Sequence, residues 1–222
     1  MDNPSPTLSG PSFGPNPQGM PQKLVIMCHG LGADGNDLIG IAPYFAQIAP
    51  DTLFLSPNAP FPCDMAPFGY QWFSLQQRTE DAMLAGVREA QPILNTFIDQ
   101  QLTKFKLVEK DVVLVGFSQG TMVSIFTALR RERPIAGVIG FSGHLVGKNV
   151  LANEIQSKPP ILMINGDQDD LVPVEAQPVA VQILTTLGID IESHIRPGLG
   201  HSIDEVGIDI AKNFLERSFQ PL

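Results

Sequence analysis

Basic residues are scarce. The chain of 222 residues sets 14 lysines and arginines against 23 aspartates and glutamates, for a formal net charge of −9. That balance repels nucleic acid and anionic membrane surfaces unless a local basic patch reverses it, and the sequence offers no such patch. Cysteine is almost absent too. Cys28 and Cys63 are the only two, too few for a disulfide framework and without metal-ligand spacing, so they read as free thiols in a reducing cytoplasm. Long apolar runs are missing: "LVIMC" at 24 to 28 is among the longest, far short of the roughly 20 residues that cross a bilayer. The first residues, "MDNPSPTLSGPSFGPNPQGMPQ", lack the basic and apolar regions of a secretion signal. No stable insertion in a membrane is expected.

What is present is apolar matter sufficient for one core, with hydrophobic residues making up 43% of the chain. Residues 1–22 are rich in proline, glycine and serine and read as an arm, with Leu8 and Phe13 as apolar anchors should it lie on the body. Residues 23–222 read as one domain.

From Lys23 onward two periodicities alternate. Strands are expected at 23–28, 52–57, 111–117, 135–142, 160–165 and 191–196; several are continuously apolar, as strands covered on both faces are. Helices are expected at 37–48, 79–105, 119–131, 174–187 and 203–217, with Pro92 kinking or splitting the second and Gly188 in the position of a left-handed cap. Strand alternating with helix predicts an α/β fold, a mostly parallel central sheet with helices on both faces. In such sheets ligands bind beyond the carboxyl ends of the strands.

At one of those ends the strand "VVLVGF" runs into "SQG". A strand turning sharply into a helix strains the residue at the corner, and side chains two positions either side would collide with the turn. Gly116 and Gly120 avoid that collision, so Ser118 reads as a nucleophile at the top of the sheet. A serine hydroxyl needs a base, and the base a carboxylate. Of four histidines, His201 stands in a glycine-bounded loop after the last strand; His29 and His144 also follow strands, and His194 lies within one. "NGDQDD" offers Asp167, Asp169 and Asp170, which spacing alone does not separate. The chain order of serine, aspartate and histidine agrees with α/β-hydrolases. The N–H of Gln119 supplies one donor for an oxyanion, and the loop "HGLGADGND" at 29–37 can supply another. A dinucleotide-binding reading of that loop is set aside because its third glycine reads as one position early for G-x-G-x-x-G and the serine elbow already occupies another strand end. No cofactor and no metal are expected.

Together "HGLGADGND", "SPNAPFP", "QWF", "GFSQG", "GDQDDLVP" and "GLGHSI" resemble the phospholipase/carboxylesterase family of α/β-hydrolases, from about residue 23 to the C-terminus. The resemblance implies Ser118 as nucleophile, Asp169 as acid, His201 as base, and oxyanion donors from the backbone of Leu31 and Gln119. It also implies a homodimer and a compact fold without a separate cap domain. Asn165-Gly166 stands where many members have His-Gly and leaves the triad untouched, whereas Gly120-Thr121 and the "APFGYQWFSL" loop look closer to bacterial carboxylesterases. Phe68, Trp72 and Leu171, among other apolar loop residues, are expected to line an acyl cleft that is shallow and open. The reading is a serine carboxylesterase for small-molecule esters or thioesters of short to medium acyl length. Acyl-protein thioesterase or lysophospholipase activity is the alternative, and a non-catalytic binding module on the same fold a more distant one.

Overall fold

The structure is a computed structural model and describes residues 7–15 and 19–220. Of the expected arm, residues 1–6 and 16–18 lie outside the described residues.

Each strand of the central sheet sends alternate side chains to opposite faces. In β2 (Lys23–Cys28), Leu24, Ile26 and Cys28 join the larger apolar cluster while Val25 and Met27 join the smaller one behind. Val112 and Leu114 of β6 (Val112–Phe117) likewise face one side, and Val113 and Val115 the other. Both faces are therefore dry, which is why these strands are continuously apolar.

The other parallel members are β3 (Thr52–Leu55), β7 (Gly137–Phe141), β8 (Ile161–Gly166) and β9 (Ile191–Arg196). With β1 (Ser12–Phe13) on the edge the order is β1-β3-β2-β6-β7-β8-β9. Every pairing is parallel except that of β1 with β3, which is antiparallel. Part of the proline-rich N-terminal stretch thus extends the sheet, and Leu8 is buried in the larger cluster. Two residues, each without a period, gave no strand signal there.

Helices α3 (Glu80–Phe105), α4 (Gln119–Ala128) and α6 (Ala176–Thr186) cover the larger cluster, joined by the short α5 (Leu151–Glu154). Helices α1 (Gly35–Ile39), α2 (Ala42–Ala46) and α7 (Glu205–Phe219) cover the smaller. Sheet and layers are those of an α/β-hydrolase.

One helix expectation is corrected and one of two alternatives at another is removed. The helix expected at 37–48 is two helices, α1 and α2, because Gly40 closes the first and Pro43, which has no N–H to continue the ladder, opens the second. Pro92 does not split its helix: α3 runs as one element of 26 residues. Pro92 is on the exposed side, where the carbonyl it leaves without a donor can turn to water. Gly188 does take the left-handed conformation, at φ 73°. A hairpin of β4 (Phe61–Pro62) and β5 (Tyr70–Gln71), too short for a sequence signal, stands over the loop after β2.

Candidate active site

Where β6 gives way to α4, Ser118 adopts φ 54°, ψ −116°, a region that a residue with a side chain enters only under constraint. The constraint is visible. Ser118 N–H donates to Phe141 O of β7 at 2.9 Å, and α4 begins at the next residue. A Cβ on Gly116 would lie 2.4 Å from the Thr121 nitrogen, and one on Gly120 would lie 1.8 Å from Cys28 O. Gly116 therefore lets the chain double back, while Gly120 lets α4 press against β2.

Ser118 and His201 line one cleft of about 620 Å³, together with Gly30, Leu31, Phe68 and Leu171. That size and the mainly apolar lining suit a small organic ligand. The His201 ring packs on Phe117, the residue before the serine, with centroids 4.9 Å apart.

The three aspartates that spacing left equivalent are separated by geometry. Asp169 is buried, and its Oδ2 lies 2.8 Å from His201 Nδ1. Its Oδ1 accepts the N–H groups of Leu171 and Val172 at 2.9 and 2.8 Å. Asp170 is exposed, and Asp167 is a turn fastener whose Oδ1 accepts Gly198 N–H at 2.7 Å. With the carboxylate on Nδ1, the other ring nitrogen of His201 is left to exchange a proton.

The remaining histidines do other things. His194 contacts Glu192 on the edge strand, Nε2 to Oε1 2.8 Å. His144 lines the cleft, and burial, with Lys148 adding to it, pushes its pKa below the ordinary 6.5. His29 is wholly buried: its Nε2 accepts Ala59 N–H at 2.9 Å and its Nδ1 donates to Gly30 O at 2.7 Å.

Of the two expected N–H donors, that of Gln119 directly follows the serine in the chain and that of Leu31 belongs to a residue lining the same cleft. Gln119 opens α4, where the first N–H groups have no carbonyl a turn earlier to meet, and Leu31 N–H meets no acceptor among the described residues. The neighbouring N–H of Gly32 is committed to Tyr70 O at 2.9 Å, which fastens the loop to the β4–β5 hairpin. The glycines at 30, 32 and 35 do fall at G-x-G-x-x-G spacing, yet α1 has five residues and Asp34 caps it, Oδ1 accepting Asn36 N–H at 2.8 Å. A carboxylate stands where a pyrophosphate would have to bind.

Trp72 requires a correction. It does not line the cleft; it is fully buried, its indole N–H donates to His29 O at 3.0 Å, and its backbone N–H donates to Gln119 Oε1 at 2.8 Å. An aromatic residue with a polar handle reads the same in sequence whether it faces ligand or core. Phe68 and Leu171 do line the mouth, 73% and 55% exposed. Sequence reading passed over Met122, one turn along α4 from Ser118, and Met83 in the first turn of α3; both carry core periodicity and line the cleft. It also missed Ser142, at φ 47°, whose hydroxyl donates to Ser202 O at 3.2 Å and so steadies the residue after His201. Among the described residues no cluster of side chains suited to a metal occurs, and no helix is long and apolar enough to cross a membrane.

A strained serine at a strand–helix corner shares one cleft with a histidine held by a buried aspartate, the set of groups that serine hydrolase chemistry on an α/β sheet requires. Residues 15–219 match the model of the phospholipase/carboxylesterase family, and the chain belongs to that family. An acyl-protein thioesterase 1 of Aspergillus fumigatus is 30% identical over 217 residues, covering 89% of this chain and 88% of the relative. Esterase YpfH of Escherichia coli is 28% identical over 195 residues, covering 87% and 82%. Among solved structures, esterase PE8 superposes with a TM-score of 0.90 at 43% identity, covering 95% of this chain and 99% of that one.

Proposed function

We propose that the protein is a serine carboxylesterase acting on esters of short to medium acyl length. The observation that carries this reading is the contact of 2.8 Å between the buried Asp169 and His201, which lines the same cleft as the strained Ser118. In the cycle we infer, His201 takes the Ser118 proton as Oγ attacks the ester carbonyl. The Leu31 and Gln119 N–H groups hold the resulting oxyanion. The tetrahedral intermediate collapses, His201 returns the proton to the departing alkoxide, and an acyl-enzyme remains. Water, deprotonated by His201, then attacks the acyl carbonyl; the bond to Oγ breaks, His201 returns the proton to Ser118, and the carboxylic acid leaves. Asp169 holds the imidazole in the tautomer with hydrogen on Nδ1 and balances the charge of the imidazolium. Small-molecule esters and thioesters are the substrates this cleft suits, since its mouth is apolar and its volume modest.

Thioester hydrolysis is the second reading. It is favoured by relatives that carry the name acyl-protein thioesterase at 27 to 30% identity, and it needs no different machinery because a thiolate leaves more readily than an alkoxide. The test is turnover of p-nitrophenyl esters from acetate to palmitate on wild type and Ser118→Ala, beside a lysophospholipid and an S-acylated peptide. The proposal expects turnover that peaks below the longest chains and vanishes in the variant. Exclusive use of the peptide would replace carboxylesterase by thioesterase.

A further inference from the structure

The two backbone donors proposed for the oxyanion, in the loop after β2 and at the start of α4, are 88 residues apart in the chain (119 less 31), and a buried set of side chains connects them. Gln119 uses its side chain as a clamp: Oε1 accepts Trp72 N–H at 2.8 Å and Nε2 donates to Phe73 O at 2.7 Å. The Trp72 indole reaches across to His29 O at 3.0 Å, and the two rings lie with centroids 6.1 Å apart. The His29 ring then turns back on its own loop. Because Nε2 accepts Ala59 N–H, it carries no proton, so the neutral ring keeps its hydrogen on Nδ1 and donates it to Gly30 O at 2.7 Å. Burial favours that neutral state, depressing the His29 pKa, although the Gly30 carbonyl, Asp34 and Asp37 oppose the shift.

The Gly30 carbonyl belongs to the same peptide group as the Leu31 N–H. In a planar trans peptide the two point in opposite directions. With Gly30 O held inward against the buried imidazole, Leu31 N–H is turned outward, to the cleft that Gly30, Leu31 and Ser118 line together. A hydrogen bond accepted by the carbonyl also polarises the amide and strengthens its N–H as a donor. The Ala33 N–H shares the same carbonyl at 3.3 Å, a longer bond, so the imidazole is the shorter of its two restraints.

We propose that His29 is a positioning residue for ester hydrolysis: its Nδ1–H, fixed by Ala59 on the opposite nitrogen, aims the Leu31 N–H at the oxyanion, and Trp72 couples that aim to Gln119. This rests on the esterase reading given above. His29 does not touch substrate. Its effect is exerted on the transition state, because only there does the carbonyl oxygen carry the charge that a well-aimed donor stabilises.

The test separates the two ring nitrogens. In His29→Asn the side-chain amide nitrogen takes the place of Nδ1 and can donate to Gly30 O, while the partner of Ala59 is lost. In His29→Gln the amide reaches the place of Nε2 and can accept from Ala59, while the bond to Gly30 is lost. Each is assayed for kcat and KM on a soluble p-nitrophenyl ester and for inhibition by a trifluoromethyl ketone, whose adduct with a serine carries an oxyanion. Removal of a whole donor typically costs about 10²- to 10³-fold in kcat; because Ala33 still restrains the loop, His29→Gln should lose about 10- to 100-fold. The loss should fall in kcat with KM little changed, and the ketone should weaken by a similar factor. His29→Asn should recover most of both, even where its melting temperature is the lower of the two. Equal turnover in the two variants, a faster Gln variant, or an unchanged ketone affinity would overturn the inference. Wild type without esterase activity and without ketone inhibition would instead remove the esterase reading.

Discussion

Asp169 and His201 meet at 2.8 Å through Oδ2 and Nδ1, and the other Asp169 oxygen accepts two backbone N–H groups of its own loop. One oxygen thus secures the carboxylate and leaves its partner free to orient the imidazole. Asp169→Asn preserves the size of the side chain but removes the charge and invites the wrong tautomer, so kcat should fall by about 10³- to 10⁴-fold with the fold intact. Asp170→Asn should be nearly silent. Asp167→Asn, which weakens the bond to Gly198 N–H, should cost a few-fold at most. Equal losses at all three positions would mean that Asp169 is not the acid.

The loop that presents His201 is closed by an ion pair. Arg196 leaves β9 and meets Asp204 at 3.0 Å, and Asp204 caps α7 through Gly207 N–H at 2.7 Å. Burial pushes the Asp204 carboxyl up, but the Arg196 guanidinium and the Gly207 N–H outweigh it and hold the pKa below the ordinary 3.8. Its contribution is present above that value and is lost as pH falls through the lower folded value. Asp204→Ala at pH 7 should cost about 1 kcal/mol for the cap alone, or about 2–4 °C in melting temperature for a chain of this size. Turnover should drop with it as the His201 loop loosens. Unchanged kcat in a destabilised variant would show that the loop holds its shape without the pair.

Stability should also respond to two histidines at milder pH. His29 and His144 both have pKa values depressed mainly by burial, with Lys148 reinforcing the effect at His144 and Asp34 and Asp37 opposing it at His29. Below the ordinary 6.5 the unfolded chain takes up protons that the folded chain refuses. Stability is therefore full above that value, falls as pH drops below it, and levels off once the depressed folded values are passed. Urea midpoints between pH 7.5 and 5 should decline, and the double variant His29→Asn, His144→Asn should flatten the slope. A wild-type slope of zero would contradict the assignment.

The two cysteines should differ sharply toward alkylating reagents. Burial pushes the Cys28 thiol up to about 12, whereas Cys63 is partly accessible in the hairpin loop. Iodoacetamide at pH 8 should label Cys63 in the folded protein and reach Cys28 only on unfolding, because the thiolate is the reacting form. Peptide mass mapping with and without urea checks this. Labelling of Cys28 in native protein would mean that β2 is exposed by local opening.

Much of this was legible before any coordinates. The sheet could be read because its central parallel strands are buried on both faces and so are continuously apolar, as at "VVLVGF". Ser118 could be read because Gly116 and Gly120 are demanded by backbone approaches shorter than any side chain allows. Other features needed three dimensions. Asp169 is distinguished from its neighbours only by the direction of its side chain, which a run of aspartates does not encode. Trp72 looked like a cleft residue because a loop aromatic shows no period, and only its hydrogen bonds to His29 and Gln119 place it beneath the site. The single helix expected at 37–48 broke because the local signals of Gly40 and Pro43 prevailed over an apolar spacing that continues across them. Pro92 went the other way: the apolar face of α3, with Ile93, Leu94, Phe97 and Ile98 in the core, outweighs one missing hydrogen bond.

The most direct measurement is labelling of the folded protein with a fluorophosphonate, followed by peptide mass spectrometry. The account predicts a single phosphonylated residue, Ser118, at a rate that falls by orders of magnitude in His201→Ala, with neither labelling nor ester turnover in Ser118→Ala. A native protein that leaves Ser118 unlabelled, or a Ser118→Ala variant that still hydrolyses esters, would contradict it.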